Sequence, residues 1–226
     1  MNAATRSAGL WSLAFALAMF VPIGILGASI GWPASLDYPP ARLMPLILEQ
    51  EGSVRVGYLT YLVYSVIFFP TIAALARVLG DDPLSRLATQ FALASTLARS
   101  IGILRWLTVM PLLAAGYAAA PNAGLETVFA AINSFGGGIG ELLGVSLFGA
   151  LAVSLIARRI LETRALPAWL GVWGLIAAGG LLLPWLEVFG VNLGPILTIS
   201  VAVLQLWFLA LGVSLLRVPQ TRAVRA

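Results

Sequence analysis

The chain has 226 residues, of which 60% are hydrophobic and only 10% are charged, and its formal net charge is +4 at pH 7. Soluble domains carry about 25% charged residues, so this composition excludes a soluble globular protein and indicates one that crosses a membrane several times. The positive charge does not indicate nucleic-acid binding, because the arginines concentrate at the ends of apolar runs and no basic stripe or aromatic platform is present.

The residue types that are absent exclude much chemistry. The chain has no Cys, no His and no Lys, and all 13 basic residues are Arg. It therefore lacks the usual ligands of zinc, copper, iron–sulfur clusters and haem. Histidine bases, Ser–His or Cys–His nucleophiles and lysine Schiff bases are excluded as well. The sequence predicts no metal site, no cofactor and no catalytic residue, and an enzyme that uses carboxylate chemistry alone stays an alternative.

Six apolar runs are long enough to cross about 30 Å of hydrocarbon at about 1.5 Å per residue. In chain order they cover residues 10–32, 54–79, 87–117, 127–157, 166–189 and 193–216. The sequence therefore predicts an all-α membrane protein in which residues 1–226 form a single domain of six transmembrane helices. The third and fourth runs are longer than a span requires, which indicates tilted helices or helices that project beyond the bilayer.

A short amphipathic helix is predicted between the first two spans. Leu43, Leu46 and Ile47 fall on one helical face, and Arg42 and Glu49 fall on the opposite face. Such a helix either lies on the lipid headgroups or caps the bundle as a functional lid.

Three tyrosines in the second span stand at a spacing of three residues. They are Tyr58, Tyr61 and Tyr64, and this spacing places their hydroxyl groups on one helical face. We expect them to pack against neighbouring spans, and the lining of a polar cavity is the alternative.

The intramembrane charges are the most informative residues. Arg99 and Arg105 lie well inside the third run and Glu141 lies inside the fourth, where an unpaired charge costs several kcal/mol and usually marks a site. Consecutive antiparallel spans are neighbours, and Glu141 falls between the two arginines in depth. Because the arginines are about 120° apart around the helix, we do not expect both to bond Glu141 in the same way. Candidate partners of the second arginine are Asn133, Glu187, Gln205, a backbone carbonyl and an anionic ligand.

Two hypotheses account for these charges. In the first, Arg99 and Glu141 form a structural ion pair that joins the third and fourth spans, while Arg105 and Trp106 extend toward the outer interface. In the second, the charges line a polar cavity in which an arginine binds an anionic group and Glu141 carries a proton or a cation.

A glycine stripe lies beside Glu141. Gly136, Gly140 and Gly144 are four residues apart and form two small-xxx-small steps, which allow close approach of a neighbouring helix. The same run is typical of membrane helices that open and expose backbone carbonyls, although close packing is the prediction we adopt. It is not a phosphate loop, because no strand precedes it and no Lys-Ser/Thr follows it.

The distribution of arginines predicts the orientation. With the N-terminus inside, nine arginines fall in inner segments and two, Arg42 and Arg55, in outer ones, which indicates that both termini are cytoplasmic. Arg55 and Glu187 both lie at the outer face and form a second candidate site. The nine inner arginines are Arg6, Arg77, Arg86, Arg158, Arg159, Arg164, Arg217, Arg222 and Arg225.

Four short motifs follow one another along the chain: TRSAGL at 5–10, EGSVRVG at 51–57, GE at 140–141 and LPAWLG at 166–171. In order and spacing they resemble the bacterial six-span membrane proteins grouped as domain of unknown function 4386. The family pattern has an acidic residue early in the second span, where this chain has Thr60 and Tyr61. The resemblance implies six helices in a bacterial cytoplasmic (inner) membrane and no particular activity. It places Arg6, Arg55 and Glu141 at motif positions.

The sequence thus predicts an integral membrane protein with a buried Arg/Glu polar site between the third and fourth helices. We expect it to act as a small transporter or as a lipid-binding or small-molecule-binding protein. The alternative is a structural or sensory accessory subunit of a larger membrane complex, in which the charges are static. The predicted partners are membrane lipids, an anionic small molecule or lipid, and a second copy or another membrane subunit.

Overall fold

A computed structural model describes residues 3–217, and within that range the backbone is almost entirely helical and has no strand. The α-helices are α1 (Ala3–Ala18), α2 (Phe20–Ile30), α3 (Pro40–Glu49), α4 (Glu51–Leu79), α5 (Pro83–Leu107), α6 (Val109–Ala119), α7 (Ala123–Gly137), α8 (Ala150–Thr163), α9 (Ala168–Leu181), α10 (Pro184–Glu187) and α11 (Pro195–Arg217). A 3₁₀ turn, Ala34–Asp37, precedes α3, and a π-helix, Gly138–Gly149, joins α7 to α8.

Six helical stretches are long and apolar enough to cross a membrane, so the prediction of an all-α fold with six transmembrane helices is confirmed. Most of them begin or end outside the predicted bounds, because backbone hydrogen bonding continues the helix into the polar residues that flank each apolar run. The inner arginines Arg222 and Arg225 lie outside the described residues. The six spans are Ala3–Ile30, Glu51–Leu79, Pro83–Ala119, Ala123–Thr163, Ala168–Glu187 and Ile196–Arg217.

Residue contacts group the chain into two compact units. The described part of the first unit consists of residues 3–17, 66–97 and 142–217, and the second unit consists of Ala18–Ser65 and Ala98–Glu141. The expectation of a single domain over residues 1–226 stays a prediction.

The first unit has an aromatic core. The rings of Phe15 and Phe208 meet edge to face with centroids 4.6 Å apart, and Phe68 and Trp207 pack against the same pair. All four side chains are buried. The indole N–H of Trp207 donates a hydrogen bond of 2.7 Å to the Leu170 carbonyl, so its one polar group is satisfied. These contacts hold α1, α4, α9 and α11 together.

Asp82 begins α5 in the same unit. Its carboxylate accepts hydrogen bonds from the backbone N–H of Leu84 at 2.8 Å and from the Ser85 hydroxyl at 2.8 Å, as an N-cap residue does. The Nε atom of Arg159, on α8, lies 2.8 Å from the same carboxylate. Partial burial raises the pKa of Asp82, but these hydrogen bonds and the Arg159 charge outweigh that effect and hold the pKa below its usual value.

We expect Asp82→Ala to lower the free energy of unfolding by about 1–2 kcal/mol, because an N-cap is lost and Arg159 loses one of its partners while it keeps Glu162. Since the pKa is depressed in the folded state, this contribution is present above the unfolded-state value of about 3.9 and is lost as the pH falls through the lower folded-state value. Thermal unfolding in detergent at neutral and acidic pH measures both effects. Asp81→Ala is the matched control, since Asp81 is exposed and pairs with Arg86 at the surface. An equal loss in both variants would contradict the capping role.

Helix α3 packs into the second unit. Leu43, Met44 and Ile47 are fully buried and belong to the apolar core that also contains Trp106. The predicted amphipathic helix is therefore present and caps the helices of this unit, and its apolar face does not lie on headgroups. The predicted face included Leu46, which is only partly buried, because the helix is turned so that Met44 packs inward instead.

Candidate functional site

The second unit contains the four residues predicted as the intramembrane polar site. Arg99 and Arg105 lie on α5, Asn133 lies on α7, and Glu141 is the fourth residue of the π-helix. We call these four residues, together with Tyr58, Tyr61 and Tyr64 of α4, the polar cluster.

Arg105 is held between α5 and α7 by neutral acceptors. Its Nη2 and Nε atoms lie 3.2 and 3.4 Å from the Asn133 Oδ1 atom, and its Nη1 donates to the Gly102 carbonyl. A Cβ atom at position 136 would collide with the Arg105 side chain, so Gly136 provides the space that the guanidinium occupies. These acceptors satisfy the guanidinium locally, and the expected extension of Arg105 toward the outer interface stays a prediction.

Arg99 is buried and contacts an aromatic ring. Only 6% of its surface is exposed, and the centre of its guanidinium lies 4.8 Å from the ring centroid of Tyr64. At this distance the π electrons attract the cation. The pairing of Arg99 with Glu141 stays a prediction.

Glu141 is exposed and Arg105 is partly buried, so the prediction of a buried Arg/Glu site is wrong at Glu141. Its carboxylate is in electrostatic range of Arg105, Tyr58 and Tyr61, so it belongs to the polar cluster, but the cluster is open on its side. The physical reason is the local helix geometry. The adjacent residue, Gly140, faces α5, and neighbouring residues on a helix point in different directions.

Gly102 and Gly140 bring two backbones into direct contact. A Cβ atom on Gly102 would lie 2.7 Å from the Gly140 Cα atom and 2.8 Å from the Gly136 carbonyl oxygen. The π-helix begins at this contact, and π-helical turns are rare and often occur at functional sites. In the first unit, the Ser95 hydroxyl donates a hydrogen bond of 2.7 Å to the Gly144 carbonyl.

Tyr58, like Tyr61 and Tyr64, belongs to the cluster but was not among the predicted site residues. Its ring stacks on Trp106 with centroids 4.6 Å apart and planes 4° apart, and only 1% of its surface is exposed. Within residues 3–217 its hydroxyl has no hydrogen-bond partner. Tyr61 and Tyr64, both on α4, also stack on each other. In the sequence, the signal that pointed to Tyr58 was the three-residue spacing of the three tyrosines, which places them on one helical face.

The two residues that the sequence assigns to the outer face, Arg55 and Glu187, are both exposed. Arg55 forms an ion pair with Glu51 one helical turn away on α4, in the second unit. Glu187 ends α10 in the first unit. A joint site of Arg55 and Glu187 stays a prediction.

These features define the class of protein: a helical, multi-pass membrane protein with six helical stretches that are long and apolar enough to span a membrane. The model of the family named domain of unknown function (DUF4386) matches residues 7–216, and the chain belongs to this family. The resemblance inferred from the four sequence motifs is therefore confirmed. No curated protein and no solved structure matches the chain.

Proposed function

We propose that the chain binds an anionic small molecule or lipid headgroup at the polar cluster, as a small transporter or a membrane-embedded binding protein. The ligand carries an oxyanion that Arg105, assisted by Arg99, attracts from the open side of the cluster at Glu141.

The bonding of Arg105 carries this proposal. Asn133 and the Gly102 carbonyl are neutral, so their hydrogen bonds fix the direction of the guanidinium without cancelling its charge, which the Glu141 carboxylate offsets in part through space. A fixed cation in a medium of low dielectric constant attracts an anion strongly, and guanidinium groups suit oxyanions because they donate in a planar fork. The adjacent Arg99 adds positive charge to the same unit.

We expect Arg105→Gln to weaken the binding of dihexanoyl phosphatidic acid by about 10- to 100-fold, because hydrogen bonds to charged groups contribute about 1.5–3 kcal/mol. The measurement is the ligand-dependent rise in thermal stability of the full chain in detergent. Dihexanoyl glycerol, which lacks the phosphate, serves as the ligand control. Arg42→Gln, in which an exposed arginine of the same unit is changed, serves as the matched protein control.

A second variant, Arg105→Lys, keeps the test informative if Arg105→Gln does not fold. Arg105→Lys keeps the charge but loses the fork that reaches Asn133, so we expect intermediate affinity with a folded protein. Equal binding by the wild type, Arg105→Gln and Arg42→Gln would refute the proposal, as would equal stabilisation by phosphatidic acid and the uncharged glycerol.

The second candidate function is a structural or sensory accessory subunit, in which the charges are static. The backbone contact between Gly102 and Gly140 favours it, because small residues at helix contacts are typical of rigid packing. In this case the partners are a second copy of the chain or another membrane subunit. Loss of stability in Arg105→Gln without any phosphatidic acid binding by the wild type would favour this function.

We also propose that the protein resides in a bacterial cytoplasmic membrane with both termini in the cytoplasm. The excess of arginines in segments assigned to the inner side supports this orientation. We expect alkaline phosphatase fused to the C-terminus in bacterial cells to be inactive, and a green fluorescent protein fusion at the same place to be fluorescent. An active phosphatase fusion at the C-terminus would reverse the orientation.

A further inference from the structure

We infer that the Tyr58 hydroxyl is a ligand-binding group of the polar cluster and donates a hydrogen bond to the oxyanion that Arg105 attracts. This inference rests on the proposed function and names the residue that completes the site. It also defines the ligand as an oxyanion with at least two acceptor oxygens, such as a phosphate group.

The first observation is the unsatisfied hydroxyl. Tyr58 is almost completely buried, and its hydroxyl has no hydrogen-bond partner among the residues that the structure describes. Buried polar groups are satisfied in the great majority of cases, because an unpaired one costs free energy that no other contact of the group restores. A ligand oxygen would remove this cost.

The second observation is the position of the ring. Tyr58 stacks on Trp106, and the Arg105 guanidinium lies 5.3 Å from the same indole ring. Tyr58 is also in electrostatic range of Arg105 and Glu141. Tyr58 and the Arg105 guanidinium therefore both lie against the same indole ring, which holds the phenol in place before any ligand arrives and lowers the entropy cost of binding.

The chemistry of the two donors defines the ligand class. A guanidinium and a neutral phenol O–H both donate, so the complementary group is one that accepts at two or more oxygens. A phosphate group fits this description, either as a lipid headgroup or as free phosphate. Dihexanoyl phosphatidic acid and inorganic phosphate are the two probes that distinguish these sources.

The test compares Tyr58→Phe with Tyr38→Phe in the purified full chain. Tyr58→Phe removes the hydroxyl and keeps the ring on Trp106. Because the hydroxyl is buried and unpaired, we expect the thermal stability of the free protein to be unchanged or higher, and the affinity for the probe to fall by about tenfold or more. Tyr38→Phe removes a hydroxyl that lies in the same unit but outside the polar cluster, so affinity should not change.

The outcomes separate this inference from the proposed function. If the wild type binds and Tyr58→Phe binds equally well, the inference is wrong and the proposed function stands. A marked loss of stability in free Tyr58→Phe would also overturn it, because the hydroxyl would then have a partner in the protein. If the wild type binds neither probe, both the proposed function and the inference fail. Binding of phosphatidic acid alone assigns the phosphate to a lipid, and binding of inorganic phosphate assigns it to a free anion.

Discussion

Gly102→Ala is expected to lower the free energy of unfolding by about 1–3 kcal/mol, although alanine favours helices over glycine by up to about 1 kcal/mol. The added methyl group would lie 2.7 Å from the Gly140 Cα atom and 2.8 Å from the Gly136 carbonyl oxygen. Both are backbone atoms, so the clash is relieved only by moving a whole helix. Unfolding of the full chain by titration with sodium dodecyl sulfate measures the loss.

Gly24→Ala is the matched control for this prediction. Gly24 also lies in a helix of the second unit, but a Cβ atom there meets nothing within 4 Å. We expect Gly24→Ala to be neutral or slightly stabilising. Equal stability of Gly102→Ala and Gly24→Ala would show that the two backbones do not need to touch.

Phe208→Ala is expected to lower the free energy of unfolding by about 3–5 kcal/mol, because the change leaves a cavity among large aromatic side chains. Phe208 is fully buried and contacts Phe15, Phe68 and Trp207. The same titration measures the effect. Phe135→Ala removes an equal volume from a side chain that is 73% exposed, so it should cost much less. A similar cost for both variants would contradict the assignment of the aromatic core.

The spans were predictable because hydrocarbon imposes a simple requirement on them. Each must be about 20 residues long and predominantly apolar, and such runs are visible in the sequence without knowledge of their neighbours. The N-terminus of α5 follows equally local rules, since Asp82 and Pro83 are typical residues for the positions that begin a helix. The position of the amphipathic helix α3 in the chain was predictable. Which of its apolar residues face the core was not, because Met44 and Leu46 are both apolar and only Met44 is fully buried.

The interior of the polar cluster was only partly predictable. Charges within apolar runs identified Arg99, Arg105 and Glu141, and the need of the second arginine for a partner identified Asn133 as one of several candidates. The exposure of Glu141 was not predicted, because the sequence argument placed Glu141 only by its depth in the span and did not consider that the neighbouring Gly140 faces α5. Tyr58 was missed as a site residue because an aromatic residue on an apolar helix usually serves packing, and its unpaired hydroxyl is visible only in three dimensions.

The space at Gly136 makes two positions dependent on each other during evolution. Arg105 fits against α7 only because residue 136 has no side chain. Family members with arginine at position 105 should therefore have glycine at position 136. Members with a larger residue at position 136 should carry a shorter or uncharged side chain at position 105. Such covariation would mark the relatives in which the cation is placed as it is in this protein.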